Sequence, residues 1–132
     1  MKIITNQTYQ LLQLSEVALV TSGTATLETA LLKVPQVVCY KGSKISYFIA
    51  KRLIKHIKYI SLVNLIMDKE IVKELIQNEL TPFNLKKELS KILEPKHRSN
   101  LIFQYDQLQK KLGESGASKR TAYLIYKTLV NN

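Results

Sequence analysis

The amino-acid sequence predicts an α/β protein with about three parallel strands followed by a helical C-terminal segment. Two segments of strand length, the continuous apolar run at 17–21 and the segment at 36–40, flank a segment of helical composition. This alternation of strand, helix and strand indicates a parallel sheet. After residue 80, helix start signals recur and no further strand-like run follows. A doubly wound nucleotide-binding domain usually has about six strands, so the sequence predicts a partial Rossmann-like domain.

Composition limits the class of protein. The chain has 132 residues and a mass of 15.1 kDa, the size of one domain. Hydrophobic residues make up 45% and charged residues 23%, which excludes a disordered or collagen-like chain. No apolar run approaches the roughly 18–20 residues that a membrane-spanning helix needs. The one cysteine, Cys39, excludes an internal disulfide and favours a reducing compartment, most simply the cytoplasm.

The first half of the chain predicts two helix–strand pairs. Residues 8–15 have the apolar spacing of a short helix, and the run at 17–21 is typical of a buried parallel strand. A turn at Ser22-Gly23-Thr24 precedes a helix over 25–33 that is rich in Ala and Leu. Pro35 ends this helix because proline cannot continue it. The second strand then covers residues 36–40.

The second half predicts one more strand and several helices. We expect a basic helix over 44–56, a short third strand over 59–62, a connection over 64–67 and a helix over 69–77. Thr81-Pro82 is a helix start, because an N-cap residue precedes proline at the first helical position. That helix runs to Leu93. The last two helices are expected over 95–112 and 117–130, with a break at 113–116.

An excess of basic residues gives the chain a net charge of +10, which favours an anionic partner. Seven basic residues fall within 18 positions and alternate with apolar ones: Lys41, Lys44, Lys51, Arg52, Lys55, His56 and Lys58. Two interpretations remain open, namely a core-facing helix with a solvated basic face and a helix that lies on a membrane surface. Nucleic acid is not an expected partner, because the sequence has no RNP-like motif, zinc-finger spacing or recognition helix.

The turn after the first strand is the best local candidate for a site. Ser22, Gly23 and Thr24 follow the carboxyl end of a predicted parallel strand and open a helix. Unpaired backbone N–H groups and the helix dipole favour a phosphate there, and the hydroxyls of Ser22, Thr24 and Thr26 add donors. Glu28, one turn further on, suits a ribose hydroxyl or supports the helix start. The same residues also fit a simple helix cap with no ligand.

Several sequence blocks together resemble one enzyme family. The blocks are Gln7-Thr8-Tyr9, the run at 17–21, the SGTATLE segment at 22–28, the VPQVV segment at 34–38, ISLVN at 60–64, ELIQ at 74–77 and GAS at 116–118. In order and spacing, over nearly the whole chain, they resemble lipid-A-disaccharide synthase. The resemblance implies a GT-B glycosyltransferase with two Rossmann-like domains. It covers only the C-terminal part of that family, so the acceptor domain is expected to be absent from this chain.

The resemblance implies a reaction and a set of donor-site residues. The family transfers a hexosyl unit from UDP-2,3-diacylglucosamine to 2,3-diacylglucosamine 1-phosphate, giving the β-1,6 lipid A disaccharide and UDP. The donor-site motif matches Ser22, Gly23, Thr24, Thr26 and Glu28 as contacts of the diphosphate and ribose. The family's candidate general base lies in the part that this chain does not match, so no catalytic residue is predicted. No cofactor and no metal site are predicted.

Three further residues are candidate substrate contacts, each with a structural alternative. Asn64 and Gln77 match polar positions that the resembling family places near the cleft, and their amides both donate and accept hydrogen bonds, which suits a sugar or uracil. Tyr40 ends a strand on the ligand side. Asn64 also fits a turn residue after a strand, Gln77 a solvent-facing helix residue, and Tyr40 a packed aromatic ring.

The resemblance also bears on organisation and location. Residues 1–94 are expected to form the partial donor-nucleotide-binding domain. Residues 95–132 are expected to form C-terminal helices that pack on it or exchange with a partner in a homodimer. Because the substrates carry acyl chains, we expect a peripheral protein on the cytoplasmic, inner face of the inner membrane. The basic residues expected to face that surface are Lys44, Lys51, Arg52, Lys55 and Lys58.

We expect no transfer activity from this chain alone, because the reaction needs donor and acceptor in one geometry. The alternative function is a non-catalytic basic module that binds a UDP-sugar, an anionic lipid or a partner protein.

Overall fold

The computed structural model describes residues 3–21, 23–42, 58–113 and 116–130. Ser22 and the predicted basic helix over 44–56 lie outside the described residues. The described elements are α1 (Thr8–Gln13), β1 (Ala18–Val20), α2 (Thr24–Leu31), β2 (Gln36–Tyr40), α3 (Leu62–Met67), β3 (Lys73–Ile76), a 3-10 turn (Gln77–Glu79), α4 (Pro82–Leu93), α5 (Pro95–Leu112) and α6 (Ala117–Val130).

The three strands form one parallel sheet in the order β1-β2-β3. Leu19 pairs with Val37, and Cys39 pairs with Leu75. The central strand β2 is buried from Gln36 to Cys39, as expected for a parallel strand covered on both faces. The predicted fold class, a partial Rossmann-like sheet followed by C-terminal helices, is confirmed. The strands run the same way, so their carboxyl ends share one edge of the sheet.

The prediction for residues 59–67 is wrong in two places. Residues 59–62 form no strand, and 64–67 belong to α3 instead of a connection. The Ser61 hydroxyl caps α3 by accepting a hydrogen bond from the Asn64 N–H at 3.3 Å. A short apolar run fits a strand and a buried helix equally well, and here the cap selects the helix.

The third strand occupies part of the segment predicted as a helix over 69–77. Its residues, Lys73–Ile76, pair with Val37–Tyr40 of β2. Lys, Glu and Leu are good helix formers by intrinsic propensity, but tertiary pairing commonly overrides that weak preference. The count of three strands is therefore correct, whereas the position of the third is not.

The core lies between the sheet and the packed helices. Its buried residues include Val37 and Val38 from β2, Val63 from α3, and Leu101 and Leu108 from α5. Helices α2 and α4 contact the sheet, and α5 packs on α2, α3 and α4. The predicted helices over 82–93, 95–112 and 117–130 are confirmed at their bounds. The boundary at 94–95 stays a prediction, and α5 contributes to the same core as the sheet.

Helix α6 differs from α5, because its described side chains are all exposed. Six large apolar side chains of α6 are more than half exposed: Tyr123, Leu124, Ile125, Tyr126, Leu129 and Val130. So many exposed large apolar side chains on one helix are typical of an interaction surface.

Tyr105 of α5 is a buried tyrosine whose ionisation is expected to lower the free energy of unfolding at high pH. Its ring is fully buried, and within the described part of the chain its hydroxyl makes no well-formed hydrogen bond. Burial raises the pKa of this hydroxyl well above its ordinary value, and the neighbouring Gln36 only partly offsets the rise. The folded chain therefore keeps the Tyr105 proton at a pH where the unfolded chain releases it.

We expect Tyr105→Phe to remove part of the loss of stability above about pH 10. Above that pH the unfolded state binds fewer protons at this residue, so the free energy of unfolding falls by up to about 1.4 kcal/mol per pH unit. Urea unfolding between about pH 9 and pH 11 measures this slope. The exposed Tyr123→Phe serves as the control. Equal slopes for Tyr105→Phe and the unmodified chain would contradict the prediction.

Candidate functional site

Three segments meet at the carboxyl edge of the sheet. Gly23 and Thr24 follow β1, Tyr40 ends β2, and Gln77 follows β3 directly. Tyr40 pairs with Ile76, so Tyr40 and Gln77 leave the sheet at the same level. Ligands of open parallel sheets bind outside this edge. The structure thus brings together three of the segments that the sequence analysis selected.

Gly23 forms the turn between β1 and α2 in a conformation that favours glycine. Its φ of 70° and ψ of −152° lie in a region almost restricted to glycine. A Cβ at Gly23 would meet no atom of the described residues within 4 Å, so none of them fills the space beside it. No side chain of the described residues caps α2, and Thr24 and Ala25 are exposed. The first N–H groups of α2 therefore have no side-chain partner in the described part of the chain, and they lie at the positive end of the helix dipole, which suits an anion.

Thr26 holds this turn through a side-chain hydrogen bond from within α2. Its side chain is fully buried, and its hydroxyl donates to the Gly23 carbonyl at 2.9 Å. Its own carbonyl accepts from the Gln36 amide at 2.8 Å. Thr26 therefore fixes the position of Gly23 through its hydroxyl, and a direct hydroxyl contact with a ligand would compete with this bond.

Glu28 lies one turn into α2 and is half-buried. Among the described residues its carboxylate makes no hydrogen bond or ion pair. A half-buried carboxylate with both oxygens available accepts hydrogen bonds from ligand hydroxyl groups. Glu28 is therefore the acidic acceptor nearest to the turn on α2.

Gln77 carries the strongest structural sign of a ligand. Its φ of 52° places a non-glycine residue in the left-handed region, and such strain persists where the surrounding structure imposes it. Its Nε2 is buried and has no hydrogen-bond partner in the described part of the chain. An unpaired buried amide costs roughly 1–3 kcal/mol, a cost that a ligand acceptor at the edge of the sheet would remove.

Tyr40 is half-buried at the end of β2. A Cβ at Gly42 would lie 3.0 Å from the Tyr40 hydroxyl oxygen, so the tyrosine ring lies over the Gly42 backbone. This contact fits the alternative of a packed aromatic ring and still leaves part of Tyr40 exposed at the edge of the sheet.

Asn64 lies in the interior, away from solvent. It is fully buried on α3. Its Nδ2 donates to the Val72 carbonyl and to Glu74 Oε1, both at 2.8 Å. Its Oδ1 accepts from the N–H groups of Ile71 at 2.7 Å and Val72 at 2.9 Å. All four hydrogen-bonding positions are occupied within the chain, so a direct ligand contact would require breaking one of them.

Sequence reasoning missed Glu74 as an individual residue. It is 6% exposed, on β3, and its carboxylate accepts hydrogen bonds from residues 60, 61 and 64. One available signal was an acidic residue that directly precedes the apolar pair Leu75-Ile76 in the segment 72–76. A buried carboxylate normally has a defined partner.

The described residues include no group of three His, Cys, Asp or Glu side chains that could hold a metal ion. His97 instead contacts Glu94 at 3.1 Å. None of the helices in the described ranges is both long and apolar enough to cross a membrane.

A parallel sheet with a glycine-centred turn before a helix at its carboxyl edge is typical of an α/β domain of the Rossmann-like class. A family model described as lipid-A-disaccharide synthetase matches residues 1–127. The chain belongs to this family, which is a family of glycosyltransferases.

Curated relatives agree with the family assignment. The chain is 41% identical over 128 residues to the lipid-A-disaccharide synthase of Hahella chejuensis (strain KCTC 2396), covering 95% of this chain and 32% of the relative. It is 40% identical over 124 residues to that of Syntrophus aciditrophicus (strain SB), covering 93% and 32%. It is 49% identical over 96 residues to that of Wigglesworthia glossinidia brevipalpis, covering 73% and 25%. The chain thus spans about a third or less of the length of these relatives.

Proposed function

We propose that this chain is the donor-binding part of a lipid-A-disaccharide synthase and binds the UDP moiety of UDP-2,3-diacylglucosamine. The observation that carries the proposal is the convergence of a free helix N-terminus at Gly23 with the unpartnered Gln77 amide, at one edge of the sheet. The reaction is hexosyl transfer to 2,3-diacylglucosamine 1-phosphate, which gives the β-1,6-linked lipid A disaccharide and UDP.

The roles of the site residues follow from their chemistry. The N–H groups of Thr24 and Ala25 bind the diphosphate beside Gly23, with the hydroxyls of Ser22 and Thr24 as further donors. Glu28 accepts hydrogen bonds from the ribose hydroxyls.

The remaining site residues bind or support the rest of the donor. The Gln77 amide donates to a carbonyl or hydroxyl of the uracil or the sugar, and the exposed side of the Tyr40 ring borders the same space. Thr26 and Asn64 act through the backbone that they hold.

Transfer itself requires donor and acceptor in one geometry. The chain spans about a third of the relatives' length, and no residue of it is assigned a catalytic role. We therefore expect this chain alone to bind the donor nucleotide without turnover.

Two further partners belong to this proposal. The net charge of +10 favours peripheral binding to the anionic inner face of the inner membrane through Lys44, Lys51, Arg52, Lys55 and Lys58. Of these residues only Lys58 is described, and it is exposed. The exposed apolar side chains of α6 support association with a second copy of the chain.

Calorimetric titration of the purified chain with UDP tests the donor site. We expect saturable binding that Glu28→Ala weakens about tenfold or more, because a hydrogen bond to a charged group contributes roughly 1.5–3 kcal/mol. Glu16→Ala removes the same charge from an exposed residue before β1 and serves as the matched control. A folded chain that shows no saturable binding, or equal losses in both variants, would contradict the proposed site.

A further inference from the structure

A buried carboxylate lies at the centre of a polar network beside β3. Glu74 Oε2 accepts the N–H of Ile60 at 2.9 Å. Its Oε1 accepts the Ser61 N–H at 2.9 Å, the Ser61 hydroxyl at 2.8 Å and the Asn64 amide at 2.8 Å. Glu74 has no ion pair among the described residues. Its charge is instead compensated by N–H and O–H donors at the N-terminus of α3.

The same network holds the strand at two points. Asn64 bonds the backbone of Ile71 and Val72 just before β3 begins. Glu74 lies within β3 and accepts hydrogen bonds from Ile60 and from Ser61, the residue that caps α3. Buried hydrogen bonds therefore link helix α3 to the start and to the middle of β3.

This attachment matters because β3 is an edge strand of the described sheet. It pairs only with β2 there, so its other edge provides no ladder to fix its position. Gln77 follows β3 three residues after Glu74, in a strained conformation with φ of 52°. A strained residue keeps its conformation only when its surroundings impose it. The β2 pairing, the packing of α4 and the buried Leu75 side chain constrain this strand. The Glu74 network adds a polar constraint at the middle of the strand.

We propose that Glu74 is a positioning residue of the nucleotide site, which holds the end of β3 so that the Gln77 amide faces the edge of the sheet. The proposal rests on the proposed function for the identity of the ligand. The chemistry favours a carboxylate, because each of its described hydrogen-bond partners donates to it. An amide in its place would bring an N–H₂ group against one of these donors.

Glu74→Gln in the full chain tests the proposal with two readouts. The first is backbone amide hydrogen exchange at residues 76–80, which reports the order of the β3 end without any ligand. The second is UDP affinity by calorimetry. We expect exchange at residues 76–80 to rise at least tenfold in Glu74→Gln and UDP affinity to fall at least fivefold.

Leu108→Ala is the control for a general loss of stability, because Leu108 is fully buried on α5, a helix that contributes no residue to the proposed site. The two variants are compared under conditions in which the same fraction of each is folded. Leu108→Ala should then leave UDP affinity within twofold, and its hydrogen exchange should not rise selectively at residues 76–80. If Glu74→Gln fails to fold, Ser61→Ala removes only one donor to Glu74 together with the cap of α3. Ser61→Ala should also raise amide hydrogen exchange at residues 76–80.

The outcomes separate this proposal from the proposed function. Exchange at residues 76–80 that is unchanged in Glu74→Gln, or raised equally by Leu108→Ala, would overturn the positioning role. A chain that shows the selective rise in exchange but binds no UDP would support the positioning role and contradict the proposed ligand. Unchanged UDP affinity in Glu74→Gln, with binding intact in the unmodified chain, would also overturn the proposal.

Discussion

Replacement of Asn64 by alanine is expected to destabilise the chain by about 3–5 kcal/mol. The substitution removes four hydrogen bonds at once and leaves the N–H groups of Ile71 and Val72 and the Val72 carbonyl without their partner. Each unsatisfied buried polar group costs roughly 1–3 kcal/mol, and Asn64 is fully buried. Since a domain of this size is stable by only about 5–15 kcal/mol, the loss is a large share of the total.

Urea unfolding monitored by circular dichroism measures this loss. Asn84→Ala is the matched control, because the Asn84 side chain makes one hydrogen bond, to the Glu79 carbonyl at 2.9 Å, in an exposed position. We expect Asn84→Ala to cost no more than about 1 kcal/mol. Asn64→Asp keeps the shape but brings a second carboxylate beside Glu74, so it should rescue little. Similar losses for Asn64→Ala and Asn84→Ala would show that the network contributes little to stability.

The parts of the fold that local chemistry determines were predictable from sequence. The Thr81 hydroxyl accepts from the Asn84 N–H at 3.1 Å, as expected for an N-cap before Pro82. Pro95 opens α5 in the same way. The segment at 36–40 became β2 with the predicted bounds, because no helix signal competed with it.

The third strand was not predictable in the same way, because its conformation depends on distant partners. The sequence of β3, Lys-Glu-Leu-Ile, is compatible with a helix, and pairing with Val37–Tyr40 makes it a strand. Ser61 caps α3, whereas the apolar residues around it suggested a strand. The error at β3 comes from pairing with a strand more than thirty residues away. The error at α3 is local, because an apolar run after a serine fits a strand as well as a capped helix.

The candidate site also combines features that are visible in the sequence with features that arise only in the folded chain. The turn at Gly23 was visible in the sequence, because glycine followed by threonine after an apolar run is a local signal. The roles of Asn64 and Glu74 were not visible, since their hydrogen bonds join α3 to β3 only in the folded chain. The amide of Gln77 is likewise a property of its surroundings, because its Nε2 is buried in the folded chain without a hydrogen-bond partner among the described residues.

Gly23→Ala is expected to weaken UDP binding by more than tenfold, which corresponds to about 1.4 kcal/mol or more. With φ of 70° and ψ of −152°, an alanine at this position is strained by about 1–3 kcal/mol. The Cβ itself meets no atom within 4 Å, so the cost arises from the backbone. The chain relieves the strain by rotating the turn, and this moves the N–H groups at the start of α2 away from the diphosphate.

Gly113→Ala separates the effect on the site from the effect of strain. Gly113 ends α5 with φ of 80° and ψ of −176°, and a Cβ there also meets nothing within 4 Å. The two glycines therefore carry a similar conformational cost, but only Gly23 follows a strand at the carboxyl edge of the sheet. We expect similar losses of stability from both variants and a loss of UDP affinity from Gly23→Ala alone. Equal UDP affinities in the two variants would mean that the turn after β1 does not bind the diphosphate.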